Sequence, residues 1–286
     1  MLFRSIAFAI AVIVAPILSP QVISIRSTTI FIALLPLIAI GILDDWRGVS
    51  SRTRYIVQLT VSSLIVSYYG PFPQPWLTPL GDFGYWLAIG LTVIGITALI
   101  NFYNFMDGLD GLVAGVTAVQ LSFLALWFHQ PILWLLVAAL LGFLYWNWSP
   151  AKIFMGDTGS TMLGATVGLT LLQGSTATQS WSSIVLLLPL VGDAIYTLFC
   201  RAYRKENIFQ AHRTHLYQRL NQSGLRHRQV ATFYILGTAV IGLVISLDPT
   251  ISPILIPLLV FIAIRQMERH LNHVNHYQSS KTLTKV

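Results

Sequence analysis

Charge is scarce in this chain. Asp, Glu, Lys and Arg together make up 9% of its 286 residues, where soluble domains carry roughly a quarter, and no soluble interior could take in the 55% that is hydrophobic. A water-soluble enzyme is excluded on those grounds. Cysteine is almost missing as well: Cys200 stands alone inside an apolar run, which rules out a disulfide framework and a cysteine metal cluster and leaves the redox compartment open. No polar stretch is long enough to fold by itself outside a membrane. No internal repeat or inverted half is visible, which weighs against a transporter. Acids are outnumbered by bases, 10 to 17, for a net charge of +7. In so apolar a chain that excess points to loop orientation and to anionic lipid or substrate, and no nucleic-acid partner is expected.

What the sequence has in quantity is apolar runs, near residues 3–18, 28–43, 55–69, 85–103, 109–128, 131–147, 160–173, 183–200, 230–247 and 252–264. They predict an all-α integral membrane protein, one polytopic bundle of about ten transmembrane helices over residues 1–286 with a polar cytoplasmic tail at 266–286. The opening run, with Arg4 ahead of it, reads as a first span and not a signal peptide, because no small-x-small cleavage pattern follows. Several runs fall short of the roughly 20 residues that a lone span needs, so their ends are expected to extend into the loops. Alternating ten spans places every Lys and Arg except Arg26 on one side, 16 to 1. By the positive-inside rule that side is cytoplasmic.

The acids cluster. Asp44 and Asp45, Asp107 and Asp110, and Asp157 fall in three short loops on the cytoplasmic side. In GILDDWRGVSSRTR, two carboxylates at the C-terminal end of a span oppose the helix dipole, so a metal ion or a local Arg is expected beside them; a solvated helix end is the alternative. In NFYNFMDGLDGLVAG, Asn101, Asn104, Asp107 and Asp110 recur at intervals of three, which on a helix sets the last three on one side, able to converge on one ligand. Ordinary turn formers would look similar. In SPAKIFMGDTGSTMLG, Asp157 opens the seventh span beside free backbone N–H groups, a phosphate-friendly place; a plain N-cap is the competing account. The loop CRAYRKENIFQAHRTHLYQRLNQSGLRHRQ gathers His212, Arg213 and His215 among basic residues that suit a pyrophosphate or nucleotide, with lipid headgroups as the competing partner. Asp193 lies two turns inside the eighth span, where a carboxylate is costly, and serves either function or a bond between helices. His270, His273 and His276 have a chelating spacing, but a tail that binds nothing is the simpler account.

DDWRG, NFMDGLDG, FMGDTGS and AHRTHLYQRL, in this order and on one side, resemble the motifs of the polyprenyl-phosphate N-acetylhexosamine-1-phosphate transferases of glycosyltransferase family 4. That family includes phospho-N-acetylmuramoyl-pentapeptide transferase and the enzymes that initiate O-antigen synthesis, and the last motif is most similar to the O-antigen branch. The likeness runs from Ile40 to Leu220. It implies transfer of a sugar 1-phosphate from a UDP-N-acetylhexosamine to undecaprenyl phosphate, releasing UMP, at the cytoplasmic face of a bacterial inner membrane, as a first step in lipopolysaccharide or other cell-envelope polysaccharide assembly. It implies Mg2+, with Mn2+ as a substitute. By the same resemblance Asp44, Asp45, Asp107 and Asp110 are catalytic, with Asp44 and then Asp45 the candidates for a base; Asp157 and Asn104 are metal ligands; Arg54 faces the lipid phosphate; and His212, Arg213 and His215 form the nucleotide-side loop.

Members of the family usually begin with a further helix and a cytoplasmic Pro-Arg-Gly-Gly segment that helps to hold the nucleotide sugar, and nothing in this sequence matches it. An inactive shortened relative is therefore one alternative, and a transporter or ion pathway that uses the same acids is another. Retention of all four motifs argues against the first. The acids sit at helix ends, not deep in the spans, which argues against the second. A homodimer is compatible with the sequence.

Overall fold

A computed structural model of the chain describes residues 25–208, 210 and 212–283, with side chains from 32 to 273 within them. The expected span at 3–18 lies outside the described residues. Among these, every regular element is helical. In chain order they are α1 (Ile25–Arg47), α2 (Ser51–Tyr69), α3 (Gly81–Met106) behind a 3₁₀ turn at Pro75–Leu80, α4 (Leu112–Trp127), α5 (Leu133–Asn147), α6 (Gly156–Leu171), α7 (Ala177–Ile184), a 3₁₀ turn at Val185–Leu187, α8 (Leu188–Tyr203), α9 (Leu216–Gln222), α10 (His227–Leu247) and α11 (Ser252–Leu283).

Three stretches, Pro75–Met106, Ala177–Tyr203 and His227–Leu247, are long and apolar enough to cross a bilayer, while α4 and α5 are apolar but shorter. Phe83, Trp86 and Ile94 of α3 and Leu236, Leu243 and Leu247 of α10 stand exposed. Such a surface is unfavourable in water and is the expected one in lipid. The chain is thus a membrane protein, helical throughout the regular elements of its described residues, as the composition requires.

The centre of the bundle is α6, whose sequence GDTGSTMLGATVGLTL is buried at nearly every position from Thr158 to Leu171. Its small residues let neighbouring backbones come close, which matters where lipid removes the hydrophobic drive between helices and leaves packing to hold them together. A Cβ on Gly164 would lie 2.8 Å from the Ile100 Cα of α3, and one on Gly41 of α1 would lie 2.1 Å from the Thr158 Oγ1. Both α1 and α3 are therefore pinned to α6, and α2 packs across α1 and α3. This clamp brings the ends of α1 and α3 to the start of α6.

Two boundaries differ from the hydropathy pattern. The eighth span starts earlier than residue 183, because Thr176 caps α7, its Oγ1 accepting from the Gln179 N–H at 3.1 Å; a polar first turn is helical where a cap satisfies its free donors. The tail expected after residue 265 continues α11 as far as Leu283. Glu268 accounts for its first part, since it forms a two-pronged pair with Arg219 of α9, with Nη2 2.9 Å from Oε2, and accepts from the Tyr196 hydroxyl at 3.0 Å.

Candidate active site

The dipole argument asked for a cation beside Asp44, and the structure supplies Arg54. The chain leaves α1 through Gly48, at φ +68°, and enters α2 under a Ser50 cap whose Oγ accepts from the Thr53 N–H at 3.2 Å, which sets Arg54 in the first turn of α2 facing the end of α1. Its Nη1 lies 2.9 Å from Asp44 Oδ2 and 2.9 Å from Asp157 Oδ2. The other oxygen of Asp44 accepts from the Val49 N–H at 2.6 Å. Asp45 is exposed. Asp157 is not the cap of α6: Met155 holds that position and Asp157 lies inside the first turn, where the helix dipole favours its charge.

Asn104, in the last turn of α3, donates from Nδ2 to Ser160 Oγ at 3.1 Å and so ties α3 to the turn that carries Asp157. Asp107 ends α3. Burial and then the Asp157 carboxylate hold its carboxyl well above the usual carboxylate range, since both disfavour the charged form.

The expectation that Asn104, Asp107 and Asp110 share one side fails at the third residue. Helix α3 stops at Met106, and Gly111 takes φ +74° while its N–H donates to Asn147 Oδ1 at 3.0 Å, so helical spacing no longer applies. Asp110 faces away, its Oδ2 3.3 Å from the Ala151 N–H and 3.2 Å from His227 Nδ1. His227 is a partner that the sequence gave no reason to single out.

The His loop docks on the same turn through α9. His215, at the cap position of α9, is 3% exposed; its ring centroid lies 4.8 Å from that of His212 and 6.3 Å from that of Phe105. The Tyr217 hydroxyl donates to the Phe105 carbonyl at 2.9 Å. A Cβ on Gly108 would come within 2.2 Å of that hydroxyl, so the glycine of the DG pair is the seat for Tyr217. Burial, then His215 and Arg201, push His212 below its ordinary value. Arg213 is exposed on the loop. Asp193, left open between function and packing, is fully bonded within the protein, accepting from Leu216 N, Tyr217 N, Thr197 Oγ1 and Tyr234 Oη.

Among the described residues no group of three or more His, Cys, Asp or Glu forms a ready metal cage. The donor set is looser: Asp44 and Asp157 share one guanidinium, and the Asn104 carboxamide stands on the adjoining turn. Mg2+ asks for one or two carboxylates and completes its shell with phosphate oxygens and water, so these hard oxygen donors fit it, and a cation would relieve the potential felt at Asp107.

A family model described as glycosyl transferase family 4 matches residues 27–175. Over 227 residues the chain is 35% identical to the probable undecaprenyl-phosphate N-acetylglucosaminyl 1-phosphate transferase of Bacillus subtilis, covering 74% of this chain and 63% of that protein. Over 232 residues it is 30% identical to the undecaprenyl-phosphate alpha-N-acetylglucosaminyl 1-phosphate transferase of Escherichia coli strain K12, covering 72% and 61%. The protein of the same name from Yersinia pestis is 27% identical over 234 residues, covering 73% and 62%. The chain thus spans under two thirds of the length of these relatives.

Proposed function

The chain belongs to glycosyl transferase family 4, and from that premise we propose that it transfers an N-acetylhexosamine 1-phosphate from a UDP-sugar to undecaprenyl phosphate, with UMP leaving. The names of the relatives support the lipid acceptor and the 1-phosphate. The observation that carries the reading in this chain is Arg54 bridging Asp44 and Asp157, with the His loop docked one turn away. Two phosphates must meet here, and the residues are those that manage anions.

In the proposed reaction an oxygen of the acceptor phosphate attacks the phosphorus that bears the sugar. The bond from that phosphorus to the UMP oxygen breaks, and UMP departs with the electron pair. With a second pKa of about 6, a phosphate monoester is mostly dianionic at neutral pH, so the attacking oxygen has no proton to lose and Asp44 or Asp45 need not act as a base. Arg54 binds the acceptor phosphate and gives up its bond to Asp157 in doing so. Asp157, Asn104 and Asp44 would hold Mg2+ or Mn2+, which supplies charge neutralisation between the anions and at the leaving UMP. His212, Arg213 and His215 receive the donor's phosphates. Asp110, paired with His227, shapes the turn that presents Asp107.

We place this site on the cytoplasmic face of a bacterial inner membrane, in a bundle of about ten spans, supported by the 16-to-1 division of Lys and Arg and by the sharing of one bundle end by all the motifs. The test is incubation of membranes with UDP-N-acetylglucosamine labelled at its β-phosphate, undecaprenyl phosphate and Mg2+. Lipid-extractable label that requires both the acceptor and the cation is expected. Label that stays in water with every UDP-N-acetylhexosamine tried would sink the reading.

A further inference from the structure

Asp193 is 2% exposed, in the middle of α8. Its Oδ1 accepts from the Leu216 N–H at 2.9 Å and the Thr197 hydroxyl at 3.1 Å; its Oδ2 accepts from the Tyr217 N–H at 2.9 Å and the Tyr234 hydroxyl at 2.7 Å. The two amides are the first two of α9, donors that a helix leaves without internal partners. The usual cap residue does not serve them, because His215 makes no side-chain hydrogen bond to the turn through Nδ1, a buried atom with no hydrogen-bond partner. That Nδ1 stands 3.5 Å from Asp193 Oδ1, close enough for attraction but not aligned for a hydrogen bond.

A helix of seven residues has little stability of its own, since nucleation is unfavourable and few bonds follow it. What orders α9 is therefore a carboxylate reaching in from another helix, beside a local cap in which Gln218 Oε1 accepts from the His215 N–H at 3.2 Å, together with Tyr217, whose hydroxyl is anchored on Phe105 and whose ring stacks on His215 at 5.8 Å and 24°. With no hydrogen-bond partner at Nδ1, the His215 ring is set on that side by packing and follows this turn.

We propose that Asp193 is a positioning residue for the donor substrate: by capping α9 from α8 it holds His215 against the turn that carries Asp107, where the phosphates of the nucleotide sugar bind. The donor half of this inference rests on the function proposed above. The burial of Asp193 thereby acquires a purpose, because a carboxylate accepting four hydrogen bonds in a water-poor setting fixes geometry more tightly than an exposed cap would.

The test uses the full chain in detergent or nanodiscs, with Asp193→Asn, Tyr234→Phe and His215→Ala. The Asn side chain keeps the volume but turns an N–H2 toward one of the amide donors; the Phe variant removes one bond and leaves the charge in place. The first readout needs no catalysis: carbethoxylation of histidines by diethylpyrocarbonate, followed by peptide mass spectrometry. Asp193→Asn is expected to raise the rate at His215 about tenfold, the equivalent of losing one charge-assisted hydrogen bond, with His129 and His227 unchanged. Tyr234→Phe is expected to give a smaller rise, again at His215 alone. An unchanged His215 in the Asn variant, or an equal rise at all three histidines in Tyr234→Phe, overturns the proposal.

The second readout is kinetic. Asp193→Asn should raise KM for UDP-N-acetylglucosamine about tenfold with KM for undecaprenyl phosphate unmoved, and should add nothing in a His215→Ala background. A normal donor KM, or an equal rise for both substrates, overturns the donor role. If the unmodified chain turns over no UDP-N-acetylhexosamine, the proposed function and the donor role fall together, and the labelling still decides whether Asp193 places His215.

Discussion

Arg54 and Asp157 meet at 2.9 Å across 103 residues of chain. The same guanidinium nitrogen holds Asp44 at the same distance, so one cation joins the ends of α1, α2 and α6. Its contribution is to function before stability, since pairs this open to solvent are worth about 0 to 1 kcal/mol.

Asp157→Asn should accordingly leave the melting temperature within a few degrees of the parent. It removes the charge that a cation needs while keeping the shape, so transfer should fall by about a hundredfold or more. Thermal melting and the lipid-extraction assay on one preparation check both halves. Near-normal Mg2+-dependent turnover would end the assignment of Asp157 as a ligand.

Arg54→Ala and His215→Ala separate the two substrates. The first should chiefly raise KM for undecaprenyl phosphate and the second KM for the UDP-sugar, each by about tenfold, as befits a lost charge-assisted contact. A reversed pattern would mean that the lipid side and the nucleotide side are exchanged.

The raised pKa of Asp107 makes a statement about stability. Burial and Asp157 disfavour its charged form in the folded protein, so the stability it contributes is complete below the unfolded carboxylate pKa of about 4 and is lost as pH climbs through the folded value. Asp107→Asn stays neutral and escapes that loss. Melting curves in EDTA should therefore show the variant gaining on the parent as pH rises above about 4, and Mg2+ should narrow the gap. Parallel curves would show that the Asp107 carboxyl is ordinary.

Gly108→Ala places a methyl within 2.2 Å of the Tyr217 hydroxyl. It should displace α9 and reduce turnover, and Tyr217→Phe in the same chain should restore part of the loss by removing the obstructing oxygen. Activity of the double variant at or below that of Gly108→Ala would show that the glycine serves something other than the seat of Tyr217.

Sidedness can be read with thiols. In a Cys200→Ala background, a cysteine at Gln222, exposed at the end of α9, should resist impermeant reagents in intact cells and react in inside-out vesicles. A cysteine at Ser175, exposed before α7, should do the reverse. Labelling of the Gln222 position from outside would put the site where no UDP-sugar is found.

The sequence by itself determined the solvent and the chemistry. Helices buried in lipid must satisfy their own backbone and present apolar side chains outward, and that demand is written locally, in runs such as 85–103 and 230–247 that return as α3 and α10. The residue types at Asp44, Arg54, Asn104, Asp107, Asp157 and His215 were legible for the same reason, each in a short motif at a helix end. Only the tertiary structure decided which of them stand together. Asp107 and Asp110 look equivalent at a spacing of three, yet α3 stops at Met106, and the turn that follows leaves one near Asp157 and the other on His227. Asp193 was open by sequence between function and a bond between helices, until α9 and α10 brought three donors to it beside Thr197 of its own helix. Arg54 reaches Asp157 because α1 packs against α6 where Gly41 meets Thr158. Hydropathy and caps act over a few residues, whereas these partnerships depend on distances between helices, which small-residue packing sets and no local pattern encodes.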